Sequence, residues 1–264
     1  MSNASIEWQR WGSPTFDPNK NLVSRTGASP VLTESDPRAF SNVLAYWSIF
    51  SDKSDYIGRQ REVLDGGRRG NEICTQAEKD SGDADLHLWG CVPWSAAFIS
   101  YIMQTGGIDQ REFSRGSAHV SYVNFLLREG QREPIFNAHE ANDYTPQVGD
   151  LICADRTASP ITTLAQHRSG GRNAATKTHC DLVMNVSYVP GRSDNAVYVI
   201  GGNVENTVAC SIVPLNSDGR LVRTPKRSWF VIFQNRIPQL PSAAPTSNVR
   251  GCGTATGALV ASLP

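Results

Sequence analysis

The sequence predicts an α+β fold in which helices come first along the chain and an antiparallel sheet follows. Apolar residues recur at helical spacing at intervals between residues 36 and 128. From residue 150 onward the pattern changes to short β-branched or alternating runs, bounded by Gly, Pro, Asn and Asp. Helices followed by a series of strands are typical of α+β domains.

Helical patterns are clearest in three segments. Asp36-Pro37 has the form of an N-cap followed by proline at the first helical position, and it predicts a helix over 36–50. The segment 93–103 is apolar on nearly every side, so we expect this helix to lie in the middle of the domain. A third helix is predicted over 117–128, and a shorter one over 56–64.

The strands are predicted in the second half of the chain, over residues 150–154, 180–188, 196–201, 207–214 and 229–234. The polar loop 155–178 lies between the first two and ends directly at His179. We expect this loop to form a wall of a substrate cleft. The Gly- and charge-rich segment 65–90 is long enough to suggest a functional loop.

The two ends of the chain differ from the domain predicted over 36–236. Residues 1–35 are polar and interrupted by prolines, which predicts an extended arm without helix or strand. Residues 237–264 are rich in Pro, Ala, Ser, Thr and Gly, a composition typical of a linker or a wrapping tail.

Composition argues against several classes of partner. Lys plus Arg and Asp plus Glu both number 25, so no overall field favours nucleic acid. No run reaches the roughly 18 apolar residues of a membrane span, and residues 1–30 lack the pattern of a signal peptide. We therefore expect no nucleic-acid partner and no membrane span.

Six cysteines are too sparse in 264 residues to build a disulfide scaffold. Three lie in apolar, strand-like runs and are predicted to be plain buried thiols: Cys153, Cys180 and Cys210. The other three lie in loop-like contexts and could pair in an oxidising compartment: Cys74, Cys91 and Cys252.

Ser95 falls in the first turn after Pro93, where unpaired N–H groups and the helix dipole favour negative charge. A nucleophile at this position could place a developing oxyanion against those donors. A capping or solvent-facing serine fits the same local pattern.

His179 begins an apolar strand in which alternation sends His179 and Asp181 to one face and Cys180 to the other. The predicted partner of His179 is Asn203, which follows two glycines at the end of another strand and could orient an imidazole. A lone histidine at the start of a strand is more often structural, and the functional interpretation depends on a partner.

Four motifs occur in an order that is known from other proteins. PWSAAFISYIM resembles the PWCAAFVSW-type helix of CHAP and NlpC-like amidases and endopeptidases, with Ser95 at the position of their catalytic cysteine. VGDLICADR resembles their next strand, HCDLV their GHVGIV-type strand, and IGGNVENTV their GGNQSNSV-type segment. The chain is more closely similar to the bacterial domain of unknown function 2272 family, from AYW through GSAHVSY and IGGNV to the late tryptophan strand, over roughly 36–236.

The resemblance implies a papain-like fold, with the helix after Pro93 packed on the antiparallel sheet, and hydrolysis of an amide bond in peptidoglycan stem peptides. It implies Ser95, His179 and Asn203 as catalytic residues. This chain departs from the pattern of those proteins at Ser95, where they have a cysteine. The difference matters because a helix dipole and a histidine can ionise a cysteine but not a serine hydroxyl. His179 must then accept the Ser95 proton during attack. The alternative is an inactive module that binds wall fragments or a protein partner.

Further residues near these motifs are expected in the site. Cys91 is an alternative nucleophile, four residues before Ser95. Substrate contacts are expected from Trp94, His119, Asp155, Arg156, Asp181 and Glu205. Zinc could use His87, Cys91, Cys74 and His179, but they form no CxxC or HExxH pattern, so we expect neither metal nor cofactor.

The predicted substrate lies outside the cytoplasm, whereas no leader is visible in the sequence. We therefore expect action in the periplasm or after secretion, through a trimmed leader or a dedicated delivery route such as that of an antibacterial effector. An effector would have an immunity protein as its partner.

Overall fold

The computed structural model describes residues 2–25, 30–34, 36–50, 93–128, 134–170, 177–224, 226–237 and 251–252. The predicted helix 56–64, the loop 65–90 and Cys74, His87 and Cys91 lie outside these ranges. Within them, every helix is too short or too polar to cross a membrane.

The described helices are α1 (Ser2–Arg10), α2 (Phe40–Trp47), α3 (Ser95–Thr105), α4 (His119–Leu126) and α5 (Leu164–Gly170), with a 3₁₀ turn at Pro37–Ala39. The strands are β1 (Pro14–Phe16), β2 (Leu22–Arg25), β3 (Phe136–Glu140), β4 (Leu151–Asp155), β5 (Thr178–Ser187), β6 (Ala196–Val204), β7 (Thr207–Pro214) and β8 (Ser228–Asn235).

The strands form one eight-stranded sheet in the order β2-β1-β7-β6-β5-β4-β8-β3. Every neighbouring pair is antiparallel except β1 and β7, which run parallel. The protein is therefore a mixed α+β structure with a large, mostly antiparallel sheet. The five predicted strands are confirmed, and each begins and ends within three residues of its predicted bounds.

The alternation along β5 separates two apolar layers. Cys180 and Leu182 join the larger core, which includes the buried residues of α2, α3 and α4. Val183 joins a second cluster on the other face, around Trp229 of β8. Helix α3 packs on the first face, against β5 and β6. Gly202 makes this approach possible, because a Cβ there would lie 2.5 Å from the Cβ of Phe98.

The N-terminal segment is more ordered than its composition predicted. It contains α1, β1 and β2, and the pairing of Thr15 with Cys210 adds β1 and β2 to the sheet. The expectation of an arm without helix or strand is wrong here. Ala4 and Trp8 of α1 and Trp11 directly after it follow a helical spacing, and all three are buried in the core. The prolines do not interrupt the elements, because Pro14 begins β1 and Pro18 lies beyond its end.

Three cysteines predicted as buried thiols form disulfides instead. Cys153 and Cys180 are bonded to each other from directly opposite positions on β4 and β5. Cys210 on β7 is bonded to Cys252, which brings the C-terminal segment back to the sheet. The prediction failed because burial is the same for a thiol and a disulfide, and only strand register shows which cysteines are opposite.

The disulfide between Cys210 and Cys252 should stabilise the fold, since it closes a 42-residue separation in the sequence. We expect the double variant Cys210→Ala/Cys252→Ala to lose about 2–4 kcal/mol of unfolding free energy, because the unfolded chain gains conformational freedom. Urea denaturation followed by tryptophan fluorescence measures this loss. Equal midpoints for the wild type and the variant would contradict it.

Candidate active site

Ser95 is the first residue of α3 and is half-buried, so its hydroxyl lies at the helix start where the sequence predicted it. The residue before it fixes that start. Trp94 is fully buried, stacks on Trp11 with ring centroids 5.1 Å apart, and donates its indole N–H to Glu34 at 2.8 Å. Trp94 therefore belongs to the core, and the expectation that it contacts substrate is corrected.

The histidine in contact with Ser95 is His119, the first residue of α4. The Oγ of Ser95 lies 2.7 Å from Nε2 of His119. A second serine of α3 holds the chain before α4 in place, because the Ser100 hydroxyl donates to the Gly116 carbonyl and accepts from the Gly116 N–H. The contact that the sequence analysis assigned to His179 is thus made by His119.

The other ring nitrogen of His119 has two neighbours. The backbone N–H of Cys180 donates to Nδ1 at 3.2 Å, and the Tyr122 hydroxyl also contacts Nδ1. The ladder between β5 and β6 begins only at Leu182 and Ile200, so the Cys180 N–H lies beyond it. Because a backbone N–H can only donate, Nδ1 accepts, and the ring proton of neutral His119 lies on Nε2, facing Ser95.

His179 lies next to His119, with ring centroids 4.9 Å apart. Its Nε2 is 2.9 Å from Oδ1 of Asp181, and both side chains are only 1% exposed. Asp181, and not Asn203, therefore orients the His179 ring. Gly201 leaves the space for this carboxylate, since a Cβ at that position would be 1.9 Å from Oδ1 of Asp181.

Burial controls the protonation of these groups. It lowers the pKa of His119 well below its usual value, and the neighbouring His179 lowers it further. It also lowers the pKa of His179 to about 4, against the opposing effect of Asp181. Burial alone would raise the pKa of Asp181, but His179, Arg227 and Lys20 outweigh it and keep this pKa low. Near neutral pH both imidazoles are neutral and the carboxylate is charged.

Four of the residues expected in the site lie elsewhere, around a separate cavity: Asn203, Asp155, Arg156 and Glu205. Asn203 has a left-handed backbone with φ of 53°, at an irregularity in the pairing of β6 with β7. The carboxylate of Asp155 is hydrogen-bonded within its own loop, because its oxygens accept the Thr157 N–H and hydroxyl and the Ile161 N–H. The structure does not bring these four side chains into contact with Ser95.

The residue that the sequence analysis missed is Tyr122. The signal was present, because His119 and Tyr122 are three residues apart in a predicted helix and therefore share a face. His119 itself was expected only as a substrate contact. In the described part of the chain, no three His, Cys, Asp or Glu side chains are grouped so as to hold a metal ion.

A family model described as an uncharacterized protein conserved in bacteria, DUF2272, matches residues 34–236. The chain belongs to this family. The matched region contains Ser95, His119, His179 and Asp181. No curated protein and no solved structure matches the chain.

The carboxyl of Glu34 accepts the indole N–H of Trp94, the residue directly before Ser95. Its ionisation therefore tests how the start of α3 is stabilised. Burial raises the pKa of Glu34 to about 7, against the effect of the Trp94 hydrogen bond. Between its usual pKa of 4.5 and about 7, the folded protein binds more protons than the unfolded chain. The free energy of unfolding therefore falls as pH rises through this range.

We expect Glu34→Gln to remove this pH dependence while keeping an acceptor for the indole N–H. The variant should match the wild type at pH 5 and be more stable at pH 8 by about 1–3 kcal/mol. Urea denaturation at both pH values measures the difference. A variant that is less stable than the wild type at pH 8 would show that the charged form of Glu34 supports the fold.

Proposed function

We propose that the protein is a hydrolase of amide bonds in bacterial cell-wall peptides, with Ser95 as nucleophile and His119 as its base. The observation that carries this proposal is the 2.7 Å contact between the Ser95 hydroxyl and His119 Nε2, at the start of α3. A nucleophile within hydrogen-bond reach of a base, with that base held by a third group, is the usual arrangement for covalent acyl transfer.

In the proposed reaction, Ser95 Oγ attacks the amide carbonyl carbon while its proton passes to Nε2 of His119. The first-turn N–H groups of α3, which have no partners within the helix, stabilise the negative oxygen of the tetrahedral intermediate. His119 then gives the proton to the leaving amine as the C–N bond breaks. Water hydrolyses the resulting ester by the same steps, with His119 again accepting and returning the proton.

Proton acceptance requires the other tautomer of His119, with the ring proton on Nδ1. That proton can be donated to the Tyr122 oxygen, but the Cys180 N–H then loses its acceptor. An unsatisfied buried N–H costs about 1–3 kcal/mol, which is roughly a 5- to 150-fold reduction in rate. This cost permits slow hydrolysis. Tyr122 is therefore the residue that makes His119 available as a base.

The substrate class is proposed from the resemblance to CHAP and NlpC-like amidases and endopeptidases. In those proteins a cysteine occupies the position of Ser95, and the strand that corresponds to HCDLV supplies the histidine. We propose the papain-like arrangement of helix and sheet on the same basis. From this substrate we propose action outside the cytoplasm, through a trimmed leader or a dedicated secretion route. Only delivery as an antibacterial effector would imply an immunity protein as partner.

A second candidate is a module that binds wall fragments without cleaving them. The observation that favours it is the Cys180 N–H bond to Nδ1, because it places the resting proton of His119 on the nitrogen that faces Ser95. In this reading Ser95 accepts a hydrogen bond and is not activated. The two candidates differ in chemistry and can be separated by product analysis.

Purified peptidoglycan incubated with the protein, followed by mass spectrometry of the soluble fragments, tests the proposal. We expect the wild type to release peptide fragments, and Ser95→Ala and His119→Gln each to lower the rate about 100-fold or more. The matched control is His139→Gln, because His139 lies on β3 and bonds Gln234. This control should retain the wild-type rate.

Ser95→Cys separates the two candidates. Cysteine is the stronger nucleophile, so we expect this variant to cleave the same bond as the wild type. If the wild type releases nothing and only Ser95→Cys cleaves, the native protein is the binding module. If neither cleaves but both sediment with peptidoglycan, binding alone remains.

The pH profile of cleavage tests the role of His119. A base with a pKa well below 6.5 is already neutral at pH 6. We therefore expect kcat/KM to change by less than about two-fold between pH 6 and pH 8. Initial rates on peptidoglycan at four pH values measure this. A several-fold fall toward pH 6 would contradict the lowered pKa of His119.

A further inference from the structure

A cavity of about 480 Å³ lies at the end of the sheet where β4 and β6 finish. Its walls come from the turn between β1 and β2, the segment after β4, the turn after β6 and the segment that leads into β8. We call it the Arg227 cavity. Its lining residues include neither Ser95 nor His119.

The Arg227 cavity is strongly basic. Five cationic side chains line it: Lys20, Arg156, Arg223, Lys226 and Arg227. The lining carboxylates are Asp155 and Glu205, and the oxygens of Asp155 already accept hydrogen bonds from Thr157 and Ile161. Cations therefore outnumber the carboxylates, in a protein whose total charge is balanced.

Arg227 is the cation that most requires a partner. It is 9% exposed, and none of the ion pairs or side-chain hydrogen bonds found in the described residues includes its guanidinium. Its backbone is fixed by a pair of hydrogen bonds with Thr224. A buried charge without a hydrogen-bonded partner is costly, and such a group in a native protein requires an explanation.

The neighbouring charges increase this cost. Lys20 lines the same cavity, and burial together with Arg227 lowers its pKa to about 8. Asp181 lines a smaller cavity together with Lys20 and Arg227. This carboxylate offsets part of the positive charge, but it is also hydrogen-bonded to His179. The Arg227 cavity itself is thus lined by five cations and two carboxylates, and an anion would balance part of this excess.

We propose that the Arg227 cavity binds the phosphate or carboxylate group of a small anionic ligand, with Arg227 as its main donor. A guanidinium matches the paired oxygens of either group and binds them through two parallel hydrogen bonds. Arg156 and Lys226, which are exposed at the rim, attract the ligand. The volume admits a molecule larger than a single inorganic ion.

Isothermal titration calorimetry at constant ionic strength tests this site with two probes, inorganic phosphate and the dicarboxylate dipeptide L-alanyl-γ-D-glutamate. We expect at least one of them to bind the wild type. Arg227→Met should weaken that binding about ten-fold or more, and Arg156→Gln about three-fold, because charged hydrogen bonds are lost. The control Arg111→Gln, at an exposed arginine paired with Asp109, should bind like the wild type.

The outcomes separate the sources of the anion. Binding of phosphate alone indicates a phosphorylated ligand, whereas binding of the dipeptide indicates a cell-wall peptide. Arg156→Gln changes an exposed side chain, so it tests the site even if Arg227→Met fails to fold. The proposal is overturned if neither probe binds more tightly than chloride, or if folded Arg227→Met binds as well as the wild type. Because calorimetry needs no catalysis, this result is independent of peptidoglycan cleavage.

Discussion

The Asp181 carboxylate is charged and almost completely removed from water, and the arrangement around it follows from that constraint. A carboxylate with 1% exposure needs hydrogen-bond donors and cations close by. His179 supplies the hydrogen bond, Arg227 and Lys20 supply positive charge, and Gly201 leaves room for the oxygen. Loss of His179, Arg227 or Lys20 would leave the buried charge less well compensated.

Asp181 also connects the two sites. On one side it orients His179, whose ring lies against His119 and so limits where the partner of Ser95 can sit. On the other side it lines a smaller cavity with Lys20 and Arg227, two residues that also line the Arg227 cavity. Because Coulomb interactions are weakly screened in such an interior, a negative ligand beside Arg227 would raise the pKa of His179 and of His119. The proposed ligand site and the proposed reactive pair are therefore coupled through charge.

Sequence patterns predicted the five strands β4 to β8, because the alternation along β5 and its neighbours is dictated directly by the two apolar layers, but they did not predict β1, β2 or β3. They also placed Ser95 correctly at a helix start, since Pro93 marks it locally. They could not show whether His119 or His179 contacts Ser95, because that contact depends on how α4 packs at the point where β5 and β6 separate. Likewise, the pairing of Cys153 with Cys180 depends on strand register, which no single run of residues reveals.

The position of Asn203 shows a second limit of prediction from sequence patterns. The two glycines before Asn203 allow close packing, since Gly201 accommodates Asp181 and Gly202 accommodates Phe98. The direction in which the chain then turns is set by the left-handed conformation of Asn203, and it delivers this side chain to the Arg227 cavity. Asp181 took the orienting role because it is two residues from His179 on the same face of β5.

Whether residue 95 is a serine or a cysteine affects how it can react with His119 in this arrangement. With Nδ1 accepting the Cys180 N–H, the Nε2 proton of His119 points at residue 95, and a thiolate there would be a strong acceptor for it. A serine hydroxyl in the same place accepts that proton weakly and must also lose its own. Activity with serine therefore depends on Tyr122, whose oxygen is the only acceptor in the described surroundings that contacts Nδ1. The chemistry at Ser95 is decided by which nitrogen of His119 holds the proton.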